Sequence, residues 1–289
     1  VLLTVACAMG IAGCGRPAEP PNAPPASQAG STQNAPKEPT QPVIALVAAS
    51  TADAVKELIK DLEKQKGVVV EVSPGPSNGL AQQILKGAPA DVFLSASENW
   101  VDALRKEGRV AETRPLLTNR LVVVVPRGRG ANIRQPSDLS RAEIGKLALG
   151  GEKVPIGTYA DQALKHLKLL DPLVADGKIV RGHDARATLA YVEQGEADAG
   201  IVYQTDAMIS DKVETAFVFD ASTHGPILYS AVLVKPAQND GGDAPEPTAD
   251  ARKAYEFLFT TEAMDVFRKF GFSAVGGDKA ATSPATEGR

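Results

Sequence analysis

The stretch Val43-Ile44-Ala45-Leu46-Val47-Ala48-Ala49-Ser50-Thr51 runs from an apolar strand straight into a pair of hydroxyl residues. Beyond it, Val55, Leu58, Ile59 and Leu62 recur at i, i+3, i+4 and i+7, which predicts an amphipathic helix that stops at Gly67. A helix N-terminus offers unpaired backbone N–H groups and the positive end of the helix dipole, and Ser50 adds a hydroxyl. Such a junction suits an anion, although capping is the commoner fate of a serine placed there. This segment alone leaves cap and ligand contact both open.

The same pattern repeats outward. Residues 68–72 read as a β-branched strand, then come a Pro/Gly/Ser loop and a short helix over 80–86. Residues 91–95 form another strand, and Ser97 with Glu98 caps a helix carrying Trp100, Val101 and Leu104. Residues 121–125 are apolar throughout, as in a strand buried on both faces. A second stretch follows with different spacing: a strand over 147–149, a helix opening near Pro155 and running to about Leu169, and a helix capped by Asp184 running to Gln194. Strands are expected over 199–203 and 215–219, and a long apolar strand over 229–235 leads back to the first lobe. Helices close the pattern over 249–259 and up to Phe270-Gly271-Phe272; residues 238–247 read as a surface loop. The alternation implies an α/β chain with parallel sheets covered by helices on both sides.

Length and composition narrow the function. The 289 residues give ample core for two domains. A formal charge of −4 with no basic stripe argues against nucleic acid as a partner. His166, His183 and His224 are scattered, and neither Cys7 nor Cys14 belongs to a CxxC pair, so no structural zinc site is expected. Residues 1–13 are small and apolar, like the h-region of a secretory signal, and Ile11-Ala12-Gly13-Cys14 resembles the lipobox of bacterial lipoproteins, with Cys14 as the lipidated residue. Residues 15–42 carry prolines at 17, 20, 21, 24, 25, 36, 39 and 42, the composition of an extended, disordered tether. A lipid at Cys14 would hold the domain at a membrane surface. Residues 273–289 are read as a disordered tail.

Several constellations carry possible chemistry. Gly75-Pro76-Ser77-Asn78-Gly79 matches the G-x-S-x-G pattern of a hydrolase nucleophile elbow. Few folded residues precede it and no histidine downstream has a distinctive setting, so the better reading of Ser77 is a second hydroxyl at a second helix N-terminus. Pro155-Ile156-Gly157-Thr158 and His183-Asp184-Ala185-Arg186 open two further helices. Tyr203 ends a buried strand at the edge where open α/β sheets bind ligands. Arg181 and Arg186 are natural anion suspects, though surface solvation is the expected state of each.

Ala48-Ala49-Ser50, Ser77-Asn78-Gly79-Leu80-Ala81, Gly87-Ala88-Pro89-Ala90-Asp91-Val92-Phe93, Asn119 with residues 121–124, Val154-Pro155 with Gly157, Gly200-Ile201-Val202-Tyr203 and Phe270-Gly271-Phe272 together resemble the molybdate-binding proteins of bacterial ABC importers. The resemblance covers about residues 43–272. It implies the type II periplasmic-binding-protein fold: lobe 1 over 43–122 and 231–272, lobe 2 over 123–230, joined by two crossing strands around a ligand cleft. It also implies an oxyanion cage of Ser50, Ser77 and Tyr203 side chains with the backbone N–H groups of Ile156 and Ala185, and no direct metal-ion ligand. The implied protein is a non-enzymatic, extracytoplasmic receptor without a cofactor, monomeric, holding molybdate or tungstate and delivering it to a membrane permease. Binding of another tetrahedral oxyanion, such as sulfate or phosphate, is the near alternative; a serine hydrolase using Ser77 is the distant one.

Overall fold

In the computed structural model, residues 41–128, 133–237 and 245–276 are described. The proposed signal segment, Cys14 and residues 15–40 of the tether lie outside them, as do most of the expected tail and part of the 238–247 loop. The first half builds β1 (Val43–Ala48), α1 (Ala52–Lys66), β2 (Val70–Gly75), α2 (Ser77–Leu85), β3 (Val92–Ser95), α3 (Glu98–Lys106) and β4 (Val110–Thr118). The second builds β5 (Leu121–Pro126), β6 (Leu147–Gly150), α4 (Pro155–His166), α5 (Leu170–Ala175), β7 (Ile179–Gly182), α6 (Ala185–Glu193), β8 (Ala199–Tyr203), α7 (Gln204–Met208) and β9 (Val213–Val218). The chain then returns through β10 (Leu228–Val234), α8 (Ala249–Phe257), α9 (Thr261–Lys269) and β11 (Ser273–Ala274).

Two sheets result, ordered β2-β1-β3-β10-β4-β11 and β7-β6-β8-β5-β9. Each contains a parallel trio in the same 2-1-3 order, β2-β1-β3 in one and β7-β6-β8 in the other. Each trio is flanked by an antiparallel strand that has just crossed from the other sheet. β5 lies against β8, and β10 lies between β3 and β4. The sheets are therefore mixed rather than parallel. A strand that enters from the opposite sheet arrives from the cleft side and runs against the trio it joins.

Local chemistry accounts for most boundaries. Gly67 ends α1 in the left-handed conformation at φ 64°, and α1 buries Val55, Leu58 and Leu62. The helix expected to reach Leu169 stops at His166, and a separate short α5 follows. The segment from Ser273, expected to be disordered, instead pairs with Leu117 and Thr118 of β4 through Ser273 and Ala274. β4 carries Pro115 beside a register irregularity between Tyr229 and Ser230 of its partner, where a residue without an N–H is tolerated. One apolar core cluster spans both sheets, from Val47 and Leu94 to Leu121, Ile201, Tyr203 and Tyr229.

Two glycines let helices press onto the strand ends. A Cβ at Gly157 in α4 would lie 2.1 Å from the Gly151 carbonyl oxygen and 2.4 Å from that of Gly150. A Cβ at Gly182 would meet the Thr188 Oγ1 at 2.6 Å and its backbone N at 2.7 Å. These approaches fix the first turns of α4 and α6 close over β6 and β7. Gly157→Ala is accordingly expected to destabilise the fold by about 1–3 kcal/mol or more, read as a lower urea midpoint; an unchanged midpoint would show that the helix can lift without cost.

Candidate functional site

In each parallel trio the strands end on the same side, and the helix or turn that follows starts at that edge. β1 leads into a single 3₁₀ turn holding Ser50, and β2 leads into α2 at Ser77. From the other sheet, the loop after β6 leads into α4 with Ile156 at its second position, β7 leads into α6 at Ala185, and β8 ends on Tyr203. All five residues line one cleft, together with Ala48, Ala49, Gly75, Pro76, Ala96, Val154, Pro155 and Asp184. The cleft encloses about 220 Å³, its open mouth included. Among the described residues, no group of three or more His, Cys, Asp or Glu side chains is placed to hold a metal ion.

The hydroxyls do not serve as caps. Ser50 lies inside the 3₁₀ turn, and its Oγ is 3.0 Å from the Tyr229 hydroxyl instead of on a helix N–H. The Thr51 hydroxyl donates to the Ala48 carbonyl at 2.8 Å. Ser77 is the first residue of α2, and its Oγ accepts the Ala96 N–H at 3.0 Å. With that lone pair engaged, the Ser77 proton is left for whatever enters the cleft. No histidine lines the cleft among the described residues, so Ser77 has no base beside it there and the nucleophile reading falls.

The tyrosines supply the remaining side-chain donors. Tyr203 is buried, and its hydroxyl has no hydrogen-bond partner among the described residues. Burial pushes the Tyr203 phenol well above its usual range, and the neighbouring Tyr229 pushes it the same way. Burial also raises the Tyr229 phenol, as does the Asp206 carboxylate. Both therefore stay protonated at neutral pH and act as donors. Their rings pack edge to face at 5.9 Å, and Tyr229 meets Phe272 at 5.3 Å.

The backbone adds donors of its own. The first N–H groups of a helix have no partner within it, so those of Ile156 in α4 and Ala185 in α6 are available at the cleft. Among the described residues, Asp184 is the one carboxylate along the lining, and it is engaged as the cap of α6: its Oδ1 accepts the Ala187 N–H at 2.8 Å.

Neither suspected arginine is solvated as the sequence suggested. Arg181 pairs with Asp161 at 2.9 Å and donates to the Gly150 carbonyl. Arg186 reaches Asp53 of α1 at 2.6 Å, bridging the two halves of the chain, and lies 3.3 Å from buried Asp206. Their charges are met by carboxylates, so the cleft offers neutral donors. Sequence reasoning missed the layer behind Ser50, namely Tyr229, Asn119 and Thr205. The signals were that Asn119 stands among the residues that carry the family resemblance and that Tyr229 opens a buried strand much as Tyr203 closes one.

Burial pushes the Asp206 carboxyl from 3.8 up to about 6, with Arg186 opposing the rise. The folded state then binds this proton more tightly than the unfolded chain. The group's contribution is complete below about pH 4 and is lost as pH rises through about 6. Asp206→Asn should flatten the fall of stability over that window, read as urea midpoints from pH 4 to 7; an unaltered slope would contradict a raised Asp206.

Comparison with known proteins places this geometry. Residues 43–273 match the family described as bacterial extracellular solute-binding proteins. A Bacillus subtilis chain provisionally named an ABC transporter substrate-binding lipoprotein, YvgL, is 39% identical over 231 residues, covering 78% of this chain and 84% of the relative. The molybdate-binding protein ModA of Haemophilus influenzae is 38% identical over 240 residues, covering 80% of this chain and 90% of the relative. The solved periplasmic molybdate-binding protein of Azotobacter vinelandii shares the fold, with a TM-score of 0.69 at 22% identity over 80% of this chain and 98% of that one. Two α/β halves around a donor-lined cleft, in a chain matched over residues 43–273, make this a bacterial extracellular solute-binding protein of the type II periplasmic-binding fold, and not an enzyme.

Proposed function

We propose that the cleft captures molybdate, and tungstate with it, as a fully ionised tetrahedral oxyanion. Ser50, Ser77 and Tyr203 donate from their hydroxyls, and Ile156 and Ala185 donate from their backbone N–H groups. The observation that carries this reading is the donor-rich character of the lining: the Ser77 oxygen already accepts from Ala96, the buried Tyr203 hydroxyl makes no hydrogen bond among the described residues, and Asp184 has Oδ1 in the cap of α6 and Oδ2 toward His183. A dianion with no proton can only accept hydrogen bonds, so it suits such a lining. A protonated phosphate would require an acceptor. Donors in a water-poor cleft hold charge more strongly than the same donors in water, and helix N-termini add charge without a counter-cation. The 38% identical Haemophilus relative that bears the name of a molybdate-binding protein supports the choice of ion.

The wider role follows from the same reading. The two sheets with their helices act as lobes, 43–122 with 231–272 and 123–230, that close over the ion about the crossing strands. The monomeric receptor, tethered by residues 15–42 to a lipid on Cys14 at the outer face of a membrane, hands the ion to an ABC permease. Tungstate, with the same charge and shape, should bind comparably.

Isothermal titration calorimetry tests the assignment. Molybdate should bind with a Kd below about 1 μM, and sulfate should give no comparable heat. Ser50→Ala and Tyr203→Phe should each weaken molybdate by roughly 1–3 kcal/mol, about 5- to 150-fold. A silent molybdate titration would overturn the choice of ion, and full affinity in both variants would overturn the choice of residues.

A further inference from the structure

The geometry points to Asn119 as a positioning residue for anion capture, acting on Ser50 through Tyr229; the inference rests on the oxyanion reading of the cleft. Asn119 lies between β4 and β5, where the chain first crosses between sheets. Its Oδ1 accepts the Arg120 N–H at 2.8 Å. That bond fixes which end of the carboxamide is the donor. Nδ2 then spends its two protons on Thr205 Oγ1 at 2.9 Å and on Tyr229 Oη at 3.2 Å. Thr205 lies in α7, two residues after Tyr203, and Tyr229 lies on the returning strand β10. One amide therefore joins both crossing segments and the short helix that directly follows Tyr203.

The consequence is a direction of donation. Tyr229 Oη accepts from Asn119, so it must place its own proton elsewhere, and its side chain is wholly buried. Two hydroxyls face it: Tyr203 Oη, which makes no hydrogen bond among the described residues, and Ser50 Oγ, which at 3.0 Å is the better-placed acceptor. Tyr229 thus donates to Ser50, and Ser50 is left to donate into the cleft. Without Asn119 the Ser50–Tyr229 bond could run either way. In the reverse sense, Ser50 would turn a lone pair toward the anion. Ser77 needs no such device, because its partner is a backbone N–H, which can only donate and so leaves the Ser77 proton free.

A double-mutant cycle on the full chain, titrated with sodium molybdate at pH 7.5, tests this. In Asn119→Asp a carboxylate accepts where the amide donated, so the Tyr229 proton turns away from Ser50 and Ser50 faces the ion as an acceptor. The expected loss is about 30-fold or more. In a Tyr229→Phe background the link is cut, and the same Asn119→Asp change should cost less than about fivefold. An equal factor in both backgrounds would mean simple charge repulsion and would overturn the inference, as would full affinity in the single variant. Thermal unfolding checks that each protein is folded. If Asn119→Asp does not fold, Asn119→Leu enters the same cycle, with a smaller loss that Tyr229→Phe again removes; a loss independent of Tyr229 overturns the inference there too. Failure of the unmodified protein to bind molybdate would instead overturn the functional reading beneath it.

Discussion

A hydroxyl has one proton to give, and once it is buried the direction of that proton is set by its neighbours rather than by water. In this chain the constraint governs the cleft between two α/β lobes. Ser77 is met by a backbone N–H from Ala96, Ser50 by the Tyr229 hydroxyl, and Tyr203 lies beside Tyr229 without a hydrogen bond among the described residues. The outcome is a lining that gives hydrogen bonds and has few to receive. Leaving such groups unpaired in the interior costs about 1–3 kcal/mol each, so this lining favours an acceptor.

The fold exists to bring those groups together from distant parts of the chain. The repeated 2-1-3 trio places three strand ends on each side of the cleft, and each trio contributes helix starts at its carboxyl edge. The crossing strands close the geometry. β10 carries Tyr229 up to Ser50, 179 residues away in sequence, and Arg186 meets Asp53 across the same divide. Close approach at Gly157 and Gly182 brings the α4 and α6 N-termini down to where their N–H groups face the cleft. The positive ends of those helices supply charge where the paired arginines supply none.

Much of this was legible in the sequence where the signal was local. The run from Val43 into Ser50 and the i, i+3, i+4, i+7 stripe ending at Gly67 define β1 and α1, because both follow from nearest neighbours along one element. The five residues singled out as donors do line one cleft, because each ends a strand or opens the turn or helix that follows one, and strand ends of a parallel trio share an edge. Pairing direction was not legible. Nothing in the composition of β5 or β10 says that they run against their neighbours, since that depends on where the chain has come from. β4 was missed because its exposed and half-buried residues, with Pro115 among them, lack a buried strand's apolar run. The capping alternative for Ser50 fell for the same reason that its Tyr229 partner was invisible: a bond spanning 179 residues leaves no periodicity. Arg181 and Arg186 were expected in solvent because a sequence shows charge but not the carboxylate opposite.

The central claim is that the cleft holds a tetrahedral dianion by neutral donors alone, and a crystal structure of the molybdate complex tests it most directly. The account predicts oxyanion oxygens within about 2.7–3.2 Å of Ser50 Oγ, Ser77 Oγ, Tyr203 Oη and the backbone N atoms of Ile156 and Ala185, with Asp184 still capping α6. An ion seated elsewhere, or one touched by the Asp184 carboxylate or by an arginine freed from its partner, would contradict it.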